Sequence, residues 1–265
     1  MLMLRQFVRQ FLPPDPHTPS LVRQLFSPPY RRLRRMERAV QEATGGKIVS
    51  GPFKGVRYVE RSIGSMYGAK LLGTYEKELE GVIGQTIARG YPLIIDIGAA
   101  EGYYAVGLAM RMPPTTRIVA FEAQTEQHSV LRALAQNNGV QDRITLHGYG
   151  TPQLLRDELA NAAGGPAMII CDVEGFEEDL LDPSAVGALQ HADVLVELHE
   201  FIRPGITPKI RERFTKTHRI TEIHARQRTM DDWPAGVELD PTLRLSAMDE
   251  GRPEGMSWFW MEAQT

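Results

Sequence analysis

From residue 93 onward the chain alternates short apolar runs with amphipathic helical patterns. The apolar runs cover residues 93–97, 117–121, 144–147, 167–173, 194–198 and 220–225, and helical patterns follow at 103–110, 125–138, 152–162, 177–189 and 208–217. Runs that are apolar throughout, such as 167–171, are typical of strands covered on both faces by helices. The pattern therefore predicts an α/β fold with a mainly parallel sheet, right-handed crossovers and helices on both faces.

The last apolar run departs from this alternation. Residues 257–261 have strand character, but no long helix comes directly before them. A parallel neighbour needs a long crossover, whereas an antiparallel strand does not. We therefore expect the final strand to be antiparallel.

Length and composition indicate an ordinary globular protein. The chain has 265 residues, of which 42% are hydrophobic and 24% charged, values that suit one α/β core with an extension. No apolar run approaches a membrane span, and the N-terminus lacks a secretory pattern, so we expect a soluble, cytoplasmic protein. Cys171 is the single cysteine, which excludes an internal disulfide.

The charge is unevenly distributed along the chain. Residues 1–40 contain eight arginines and two acids, a net charge of +6, whereas the whole chain carries −3 and the remainder therefore −9. We divide the chain into a basic, partly helical extension (1–46), a hairpin and connector (47–72) and a catalytic core (73–265). A basic extension on an acidic body favours contact with an anionic partner, either the inner face of a membrane or a carrier protein. A solvated helix at the edge of the core would explain the same charge, and the sequence does not define an oligomeric state.

The turn after the first strand of the core is the best candidate for a cofactor site. Asp96 and Gly98 end the strand, and the turn reaches a helix at Gly102. Ligands of open α/β sheets bind beyond the carboxyl ends of the strands, where glycines allow the backbone to come close. Glu122 lies at the tip of the next strand, 20 positions after Gly102, where a carboxylate can accept hydrogen bonds from both hydroxyls of an adenosine ribose. The glycine spacing, with an acid before the first glycine, favours S-adenosylmethionine (SAM) over a dinucleotide.

Acids and a histidine follow the fourth and fifth strands. Asp172 and Glu174 come after one strand, and Glu197 and His199 end the next; residues two apart on a strand point to the same side. The set Asp172, Glu197 and His199 could hold a divalent cation such as Mg²⁺, which would polarise a hydroxyl. Alternatively, His199 or Asp172 is a general base. The sequence leaves both mechanisms open.

Several of these segments together resemble the FkbM-type SAM-dependent methyltransferases, a group within the Rossmann-like methyltransferases. The resemblance rests on residues 73–76 (GTYE), 95–104 (IDIGAAEGYY), 121–122 (FE), 172–177 (DVEGFE) and 197–199 (ELH). It departs from the family pattern at Ala100, where Gly or Asn is usual. The resemblance implies a sheet with an antiparallel last strand and a cofactor site formed by Glu76, Asp96, Gly98, Ala99, Gly102, Glu122, Ala123, Gly148 and Asp172.

The resemblance also implies an activity. FkbM-type enzymes transfer a methyl group from SAM, usually to a hydroxyl of a sugar, polyketide or other small-molecule or glycan acceptor. We do not expect a nucleic-acid substrate, because the core is acidic and an Asn-Pro-Pro-Tyr motif is absent. Two other functions stay open: an NAD-dependent oxidoreductase, and a non-catalytic binding module that retains the fold.

Overall fold

The computed structural model describes residues 28–60, 62, 65–161 and 165–264. The amphipathic helix that the sequence predicts over residues 1–12 lies outside these residues. The helices are α1 (Pro28–Thr44), α2 (Tyr67–Leu72), α3 (Glu80–Arg89), α4 (Tyr103–Arg111), α5 (Thr125–Asn137), α6 (Pro152–Ala160), α7 (Glu177–Leu180), α8 (Ile206–Phe214) and α9 (Pro241–Met248). The strands are β1 (Leu93–Ile97), β2 (Arg117–Phe121), β3 (Ile144–His147), β4 (Ala167–Cys171), β5 (Asp193–Leu198), β6 (His218–His224) and β7 (Ser257–Ala263).

All seven strands form one sheet with the order β3-β2-β1-β4-β5-β7-β6. Strands β1 to β5 are parallel to one another, and Ile95 of β1 pairs with Val119 on one side and Ile169 on the other. The chain moves outward from β1 to β3 and then returns to β4. Right-handed crossovers on the two sides of this reversal place helices on opposite faces of the sheet.

The last strand is antiparallel, as the sequence predicted. β7 lies between β5 and β6, with Leu195 paired to Trp260 and Ile220 paired to Met261. This order is that of the Rossmann-like methyltransferase fold, and it differs from the 3-2-1-4-5-6 order of dinucleotide-binding sheets. The predicted fold class is therefore confirmed.

The helical pattern predicted over residues 177–189 is wrong in extent. α7 ends at Leu180, and a separate 3₁₀ turn covers Gly187–His191. Pro183 explains the break, because a proline disfavours helical geometry in the residue before it and has no N–H to donate.

The sheet forms the centre of the core. All five residues of β1 and all five of β4 are buried, as expected for strands with helices on both faces. One large apolar cluster joins side chains of β1, β2, β4, β5 and β7 to those of α6 and α8, including Ile95, Val119, Ile169 and Phe214. The core therefore holds the carboxyl ends of the central strands in a fixed arrangement.

The residues group into two compact units. Of the described residues, unit 1 comprises those up to Tyr75 together with Gln227–Gly251, and unit 2 comprises those of 76–226 and those from Arg252 onward. In unit 1, α1, α2 and α9 pack together, and Lys47 and Arg57 form a single antiparallel bridge rather than two longer paired strands. Unit 2 contains the whole sheet and the candidate site.

A search of the described residues for helices long and apolar enough to cross a membrane finds none.

Candidate functional site

The turn after β1 approaches the end of β4 closely. Gly98 has a φ of +88°, and a Cβ at this position would lie 1.7 Å from the backbone oxygen of Asp172. The N–H groups of Gly98 and Ala99 donate to the Phe121 carbonyl at 2.9 and 3.0 Å, so the turn is also tied to the end of β2. Only glycine fits at Gly98, because any side chain would collide with the neighbouring backbone.

Glu122 connects the tip of β2 to this turn. Its Oε2 accepts a hydrogen bond from the Ala100 N–H at 2.8 Å, and its Oε1 accepts one from the Gln124 N–H at 2.7 Å. The carboxylate thus points toward the turn, where the sequence analysis placed it. A carboxylate has about four lone-pair sites, so these two bonds leave room for two further donors.

Asp96 anchors the first turn of α4. The residue is buried, and its Oδ2 accepts a hydrogen bond from the Ala105 N–H at 3.0 Å. An acid here satisfies one of the N–H groups that have no partner at a helix start and interacts favourably with the helix dipole. A direct contact between Asp96 and a cofactor stays a prediction.

The other predicted cofactor positions differ in their surroundings. Ala99 is buried, whereas Ala123 is exposed beside Glu122. A Cβ at Gly148, just after β3, would have no neighbour within 4 Å. There is therefore open space beside the end of β3, at one of the cofactor positions that the resemblance implies.

The predicted residues after β4 and β5 meet at the carboxyl edge of the sheet. His199 Nε2 lies 3.5 Å from Asp172 Oδ1 and 3.7 Å from Glu197 Oε1. Glu174 does not join them: β4 ends at Cys171, so the strand alternation does not extend to residue 174, which is exposed with a φ of +52°. Glu197 and His199 lie close together, as predicted.

Glu177 contacts the imidazole of His199 at Nδ1, the ring nitrogen that does not face Asp172 and Glu197. Its Oε1 lies 2.5 Å from His199 Nδ1 and also accepts a hydrogen bond from the Gly175 N–H at 3.1 Å. Both Glu177 and His199 are buried. This pairing leaves Nε2 directed at Asp172 and Glu197. Glu177 lies in the first turn of α7, where the helix dipole favours an acid, and nothing in the local pattern identified His199 as its partner.

Arg252 completes the cluster and was missed by sequence analysis. Its Nη1 donates to Glu197 Oε1 at 2.9 Å, its Nη2 donates to Glu76 Oε1, and its guanidinium lies 4.8 Å from the centre of the Trp258 ring. The Tyr104 hydroxyl also donates to Glu76. We call Glu76, Asp172, Glu177, Glu197, His199 and Arg252 the acid cluster. Arg252 lies in an irregular segment with no motif, so no local signal marked it.

A small cleft opens at the acid cluster. It is lined by Glu76, Leu79, Tyr104, Ile170, Cys171, Asp172, Leu195, Glu197 and Trp258. Three of the predicted site residues, Glu76, Asp172 and Glu197, therefore share one cavity wall. Burial raises the pKa of the Cys171 thiol, as do nearby carboxylates, so this thiol stays protonated and is a poor nucleophile.

Proton affinities in the cluster are strongly perturbed. Burial alone lowers the pKa of His199, but the Glu177 hydrogen bond and the charges of Asp172 and Glu197 raise this pKa to about 9. Burial and the carboxylates of Glu197 and Glu76 raise the pKa of Asp172. The Asp172 side chain retains 42% of its exposure, so solvent limits that rise. Such perturbed groups in a cleft are typical of functional sites.

Backbone strain is concentrated in the same region. Among the described residues, the non-glycine residues with positive φ are Glu76, Ala100 and Glu174, at +47°, +48° and +52°. All three lie in segments that form the cofactor turn or the loops beside the acid cluster. Left-handed backbone costs about 1–3 kcal/mol per residue, and it tends to persist where function requires the geometry.

The donor set of Asp172, Glu197 and His199 fits a divalent cation. One ligand atom from each residue lies within 4.8 Å of the others, and two carboxylates with an imidazole suit several divalent metals. However, Arg252 already donates to Oε1 of Glu197, one of the carboxylates in this set. A cation at this site would therefore compete with the guanidinium.

Comparisons with known proteins concern the fold. None of the protein-family models matches the sequence, and none of the curated proteins does. Among solved structures, the chain is similar to a candidate O-methyltransferase from Klebsiella pneumoniae, with 14% identity, coverage of 98% of this chain and 96% of that chain, and a TM-score of 0.45.

Two further solved structures are similar at the same level. They are the O-methyltransferase TomG from Streptomyces achromogenes in complex with SAM (16% identity, 72% of this chain and 81% of that chain, TM-score 0.46) and an O-methyltransferase from Bacillus cereus in complex with SAH (14% identity, 84% and 90%, TM-score 0.43). Similarities this distant do not define an activity, so the activity has to be inferred from the residues of this chain.

Proposed function

We propose that this protein is a SAM-dependent methyltransferase that methylates a hydroxyl oxygen of a small-molecule or glycan acceptor. The observation that carries the proposal is the arrangement at one sheet edge. A glycine turn after β1 is tied to Glu122 at the tip of β2, and the turn packs against Asp172, beside the ionisable side chains of β4 and β5. The FkbM-type subfamily and the sugar or polyketide acceptor are parts of this proposal that rest on the motif resemblance.

The strand order supports SAM over NAD. Dinucleotide-binding sheets of this class continue in parallel beyond the fifth strand, whereas here β7 is antiparallel between β5 and β6. In our proposal, the two acceptor sites left on Glu122 bind the ribose hydroxyls, and the open space at Gly148 receives the adenine. Asp96, Gly98, Ala99 and Gly102 then surround the methionine half.

The charge of the acid cluster also suits SAM. The carboxylates of Glu76, Asp172, Glu177 and Glu197 lie in one cluster with the guanidinium of Arg252 and the imidazole of His199. Carboxylates grouped in a poorly solvated cleft favour a bound cation. SAM supplies a methyl group on a positively charged sulfonium, so its reactive centre matches this field.

We propose that the chain's own residues remove the proton of the acceptor hydroxyl. Asp172 and His199 lie 3.5 Å apart, with their proton affinities raised together, and the exposed carboxylate of Asp172 faces the cleft. The hydroxyl proton passes to this pair while Glu177 fixes the imidazole ring from the other side. Glu197 is held by Arg252 and orients the pair.

A divalent cation on Asp172, Glu197 and His199 is the second mechanism. It is favoured by the separations of the ligand atoms, and the cation would compete with Arg252 for the charge of Glu197. Methyl transfer measured with and without a chelator separates the two mechanisms: an unchanged rate supports the proton-accepting pair, and a lost rate that Mg²⁺ or Mn²⁺ restores supports the metal.

The proposal as a whole is tested by binding and turnover. Calorimetry of the full chain with S-adenosylhomocysteine (SAH) and with NAD should give heat of binding with SAH only. Methyl transfer from labelled SAM should then fall strongly in Asp172→Asn and His199→Ala. NAD binding without SAH binding would support an oxidoreductase, and binding of neither ligand would leave a non-catalytic module.

We also propose that α1 contacts an anionic phospholipid surface, such as the inner face of a membrane. Arg31, Arg34, Arg35 and Arg38 lie on one face of this helix, at the i, i+3, i+4 and i+7 spacing, and line a recess of about 490 Å³. Four guanidinium groups spread over two turns suit a flat, charged surface better than a single phosphate.

Vesicle flotation tests this contact. Binding should require anionic lipid, and Arg35→Gln should weaken it about fivefold, because one basic residue near such a surface contributes about 1 kcal/mol. Arg32→Gln, on a different side of the same helix, is the matched control. Equal binding to neutral and anionic vesicles would rule out the lipid and leave an acidic carrier protein as the partner.

A further inference from the structure

Large apolar side chains are exposed mainly at one place in unit 2. Among the described residues, the exposed large apolar side chains are Tyr149 (57%), Phe176 (52%), Phe201 (42%), Ile202 (41%), Met230 and Leu245. The first four follow the carboxyl ends of β3, β4 and β5, and we call them the apolar collar. Met230 and Leu245 belong to unit 1.

The collar residues touch one another and the acid cluster. The rings of Tyr149 and Phe176 meet edge to face with centroids 6.4 Å apart, and those of Phe201 and His199 lie 5.7 Å apart. A Cβ at Gly175 would be 3.0 Å from Ile202 Cγ2, so the loops after β4 and β5 are also in contact. The collar is therefore continuous with the residues that we propose to take the hydroxyl proton.

Two polar side chains of the loop after β5 are engaged within the protein. Glu200 accepts hydrogen bonds from the N–H groups of Gly205 and Thr207 at the start of α8. Arg203 donates to the Gly175 carbonyl and pairs with Asp179. A sugar is usually recognised through several polar groups, but these polar groups already have partners. The loops after β3, β4 and β5 present the exposed rings of Tyr149, Phe176 and Phe201 to a ligand, and the loop after β4 also exposes the carboxylate of Glu174.

The collar is too small for a stable protein interface. Four side chains fall well short of the roughly 20–30 residues that each partner contributes to such an interface. Their size and flat rings suit a small molecule with one or two rings. The carboxylates of the neighbouring acid cluster disfavour a negatively charged ligand.

From these observations we infer that the apolar collar binds an uncharged aromatic ring system of the methyl acceptor and presents its hydroxyl to Asp172 and His199. This inference rests on the proposed methyltransferase function and narrows its acceptor to hydroxylated aromatic compounds. Phe176 and Phe201 are then specificity-determining residues, and they take no part in the chemistry.

Binding of 2-naphthol to the full chain tests the collar without cofactor. Calorimetry should detect 2-naphthol and should detect no methyl glucoside at the same concentration. Phe176→Ala and Phe201→Ala should each weaken 2-naphthol binding at least about tenfold, the range for a lost apolar contact. Leu245→Ala removes an equally exposed apolar side chain from unit 1 and should change nothing. Phe176→Leu keeps an apolar side chain without the ring and should bind with intermediate affinity.

A parallel titration with SAH separates this inference from the proposed function. SAH affinity should be the same in Phe176→Ala as in the original chain, and the KM for an aromatic acceptor should rise while kcat is kept. If SAH binds but 2-naphthol does not, the collar inference is wrong and the cofactor proposal stands. If 2-naphthol binds but SAH does not, the ring site stands and the cofactor proposal is wrong. Preferential binding of methyl glucoside, or self-association that Phe176→Ala abolishes, would also overturn the inference.

Discussion

The two halves of the sheet edge are built in different ways. On the β1–β2 side, the contacts are made by backbone N–H groups and by residues close in sequence, such as Ala100 and Glu122. On the β4–β5 side, ionisable side chains from distant segments meet, and Arg252 reaches both Glu76 and Glu197. The β1–β2 side is held by backbone hydrogen bonds, and the β4–β5 side is held by interactions between charged side chains.

This difference indicates a division of labour. A turn held by backbone hydrogen bonds has a fixed shape that depends little on pH, which suits the binding of a cofactor that is the same in every reaction cycle. A cluster of coupled charges responds to pH and to any added cation, which suits proton transfer. Substitutions on the β1–β2 side should therefore act by changing the shape of the turn. Substitutions on the β4–β5 side should act by changing the charge of the acid cluster.

The largest loss of stability should come from a substitution in the turn after β1. In Gly98→Ala the new methyl group collides with the Asp172 carbonyl at a φ that alanine rarely adopts, so we expect a loss of at least about 4 kcal/mol in the free energy of unfolding. Gly90→Ala is the matched control, because its φ is +68° with nothing within 4 Å, and it should cost about 1–2 kcal/mol. Urea denaturation measures both; equal losses would show that the approach to β4 is unimportant.

The next largest loss of stability should come from a substitution in the acid cluster. Arg252→Met leaves the buried carboxylates of Glu76 and Glu197 without their guanidinium partner, and we expect a loss of about 3 kcal/mol in the free energy of unfolding. The same variant should bind Mn²⁺ more tightly than the original chain, since the competing cation is gone.

Arg211→Met is the control for this variant, because Arg211 forms a pair with Glu222 on an exposed surface and should contribute at most about 1 kcal/mol. Unchanged Mn²⁺ affinity in Arg252→Met would mean that the cluster is not a latent metal site.

A smaller effect should appear in the titration of His199. Glu177→Gln keeps the shape of the side chain but removes its charge, so the pKa of His199 should fall from about 9 by roughly one unit. NMR of the histidine ring, assigned with His199→Gln, measures the change. Asp179→Asn changes an exposed acid nearby and should leave the pKa of His199 unchanged.

The same pKa has a consequence for stability. A histidine whose pKa is raised on folding stabilises the protein fully below the unfolded pKa of about 6.5, and this contribution is lost as the pH rises through the folded value of about 9. In Glu177→Gln, the loss should still begin near the unfolded pKa but should end at lower pH, so the total contribution is smaller. Denaturation curves of the two proteins that shift identically between pH 6 and 10 would contradict the pairing.

The two halves also differ in how far sequence predicted them. The alternation of strands and helices, the antiparallel last strand and the glycine turn with Glu122 follow from local patterns, because period, spacing and turn residues are local properties. Glu197 and His199 were found because the carboxyl ends of neighbouring parallel strands share one edge. These are the parts of the fold and site that local chemistry determines.

Arg252 and the role of Glu177 were not predictable in this way. Arg252 is 55 residues from Glu197 and 176 residues from Glu76, and it comes from a segment without a motif. Glu177 lies in the first turn of a helix, where an acid is favoured regardless of function. No local pattern shows that residues 227–251 group with the N-terminal residues in unit 1, since that grouping depends on long-range packing.

The central claim is that Glu122 and the turn after β1 hold the ribose and amino-acid ends of SAM. Calorimetry with SAH on the original chain and on Glu122→Gln tests this claim most directly, with Asp142→Asn as a control acid outside the turn. We predict that SAH binds, that NAD does not, and that Glu122→Gln weakens SAH binding about 10- to 100-fold, as expected for a lost charged hydrogen-bond acceptor. An unchanged SAH affinity in Glu122→Gln, or binding of NAD in place of SAH, would contradict it.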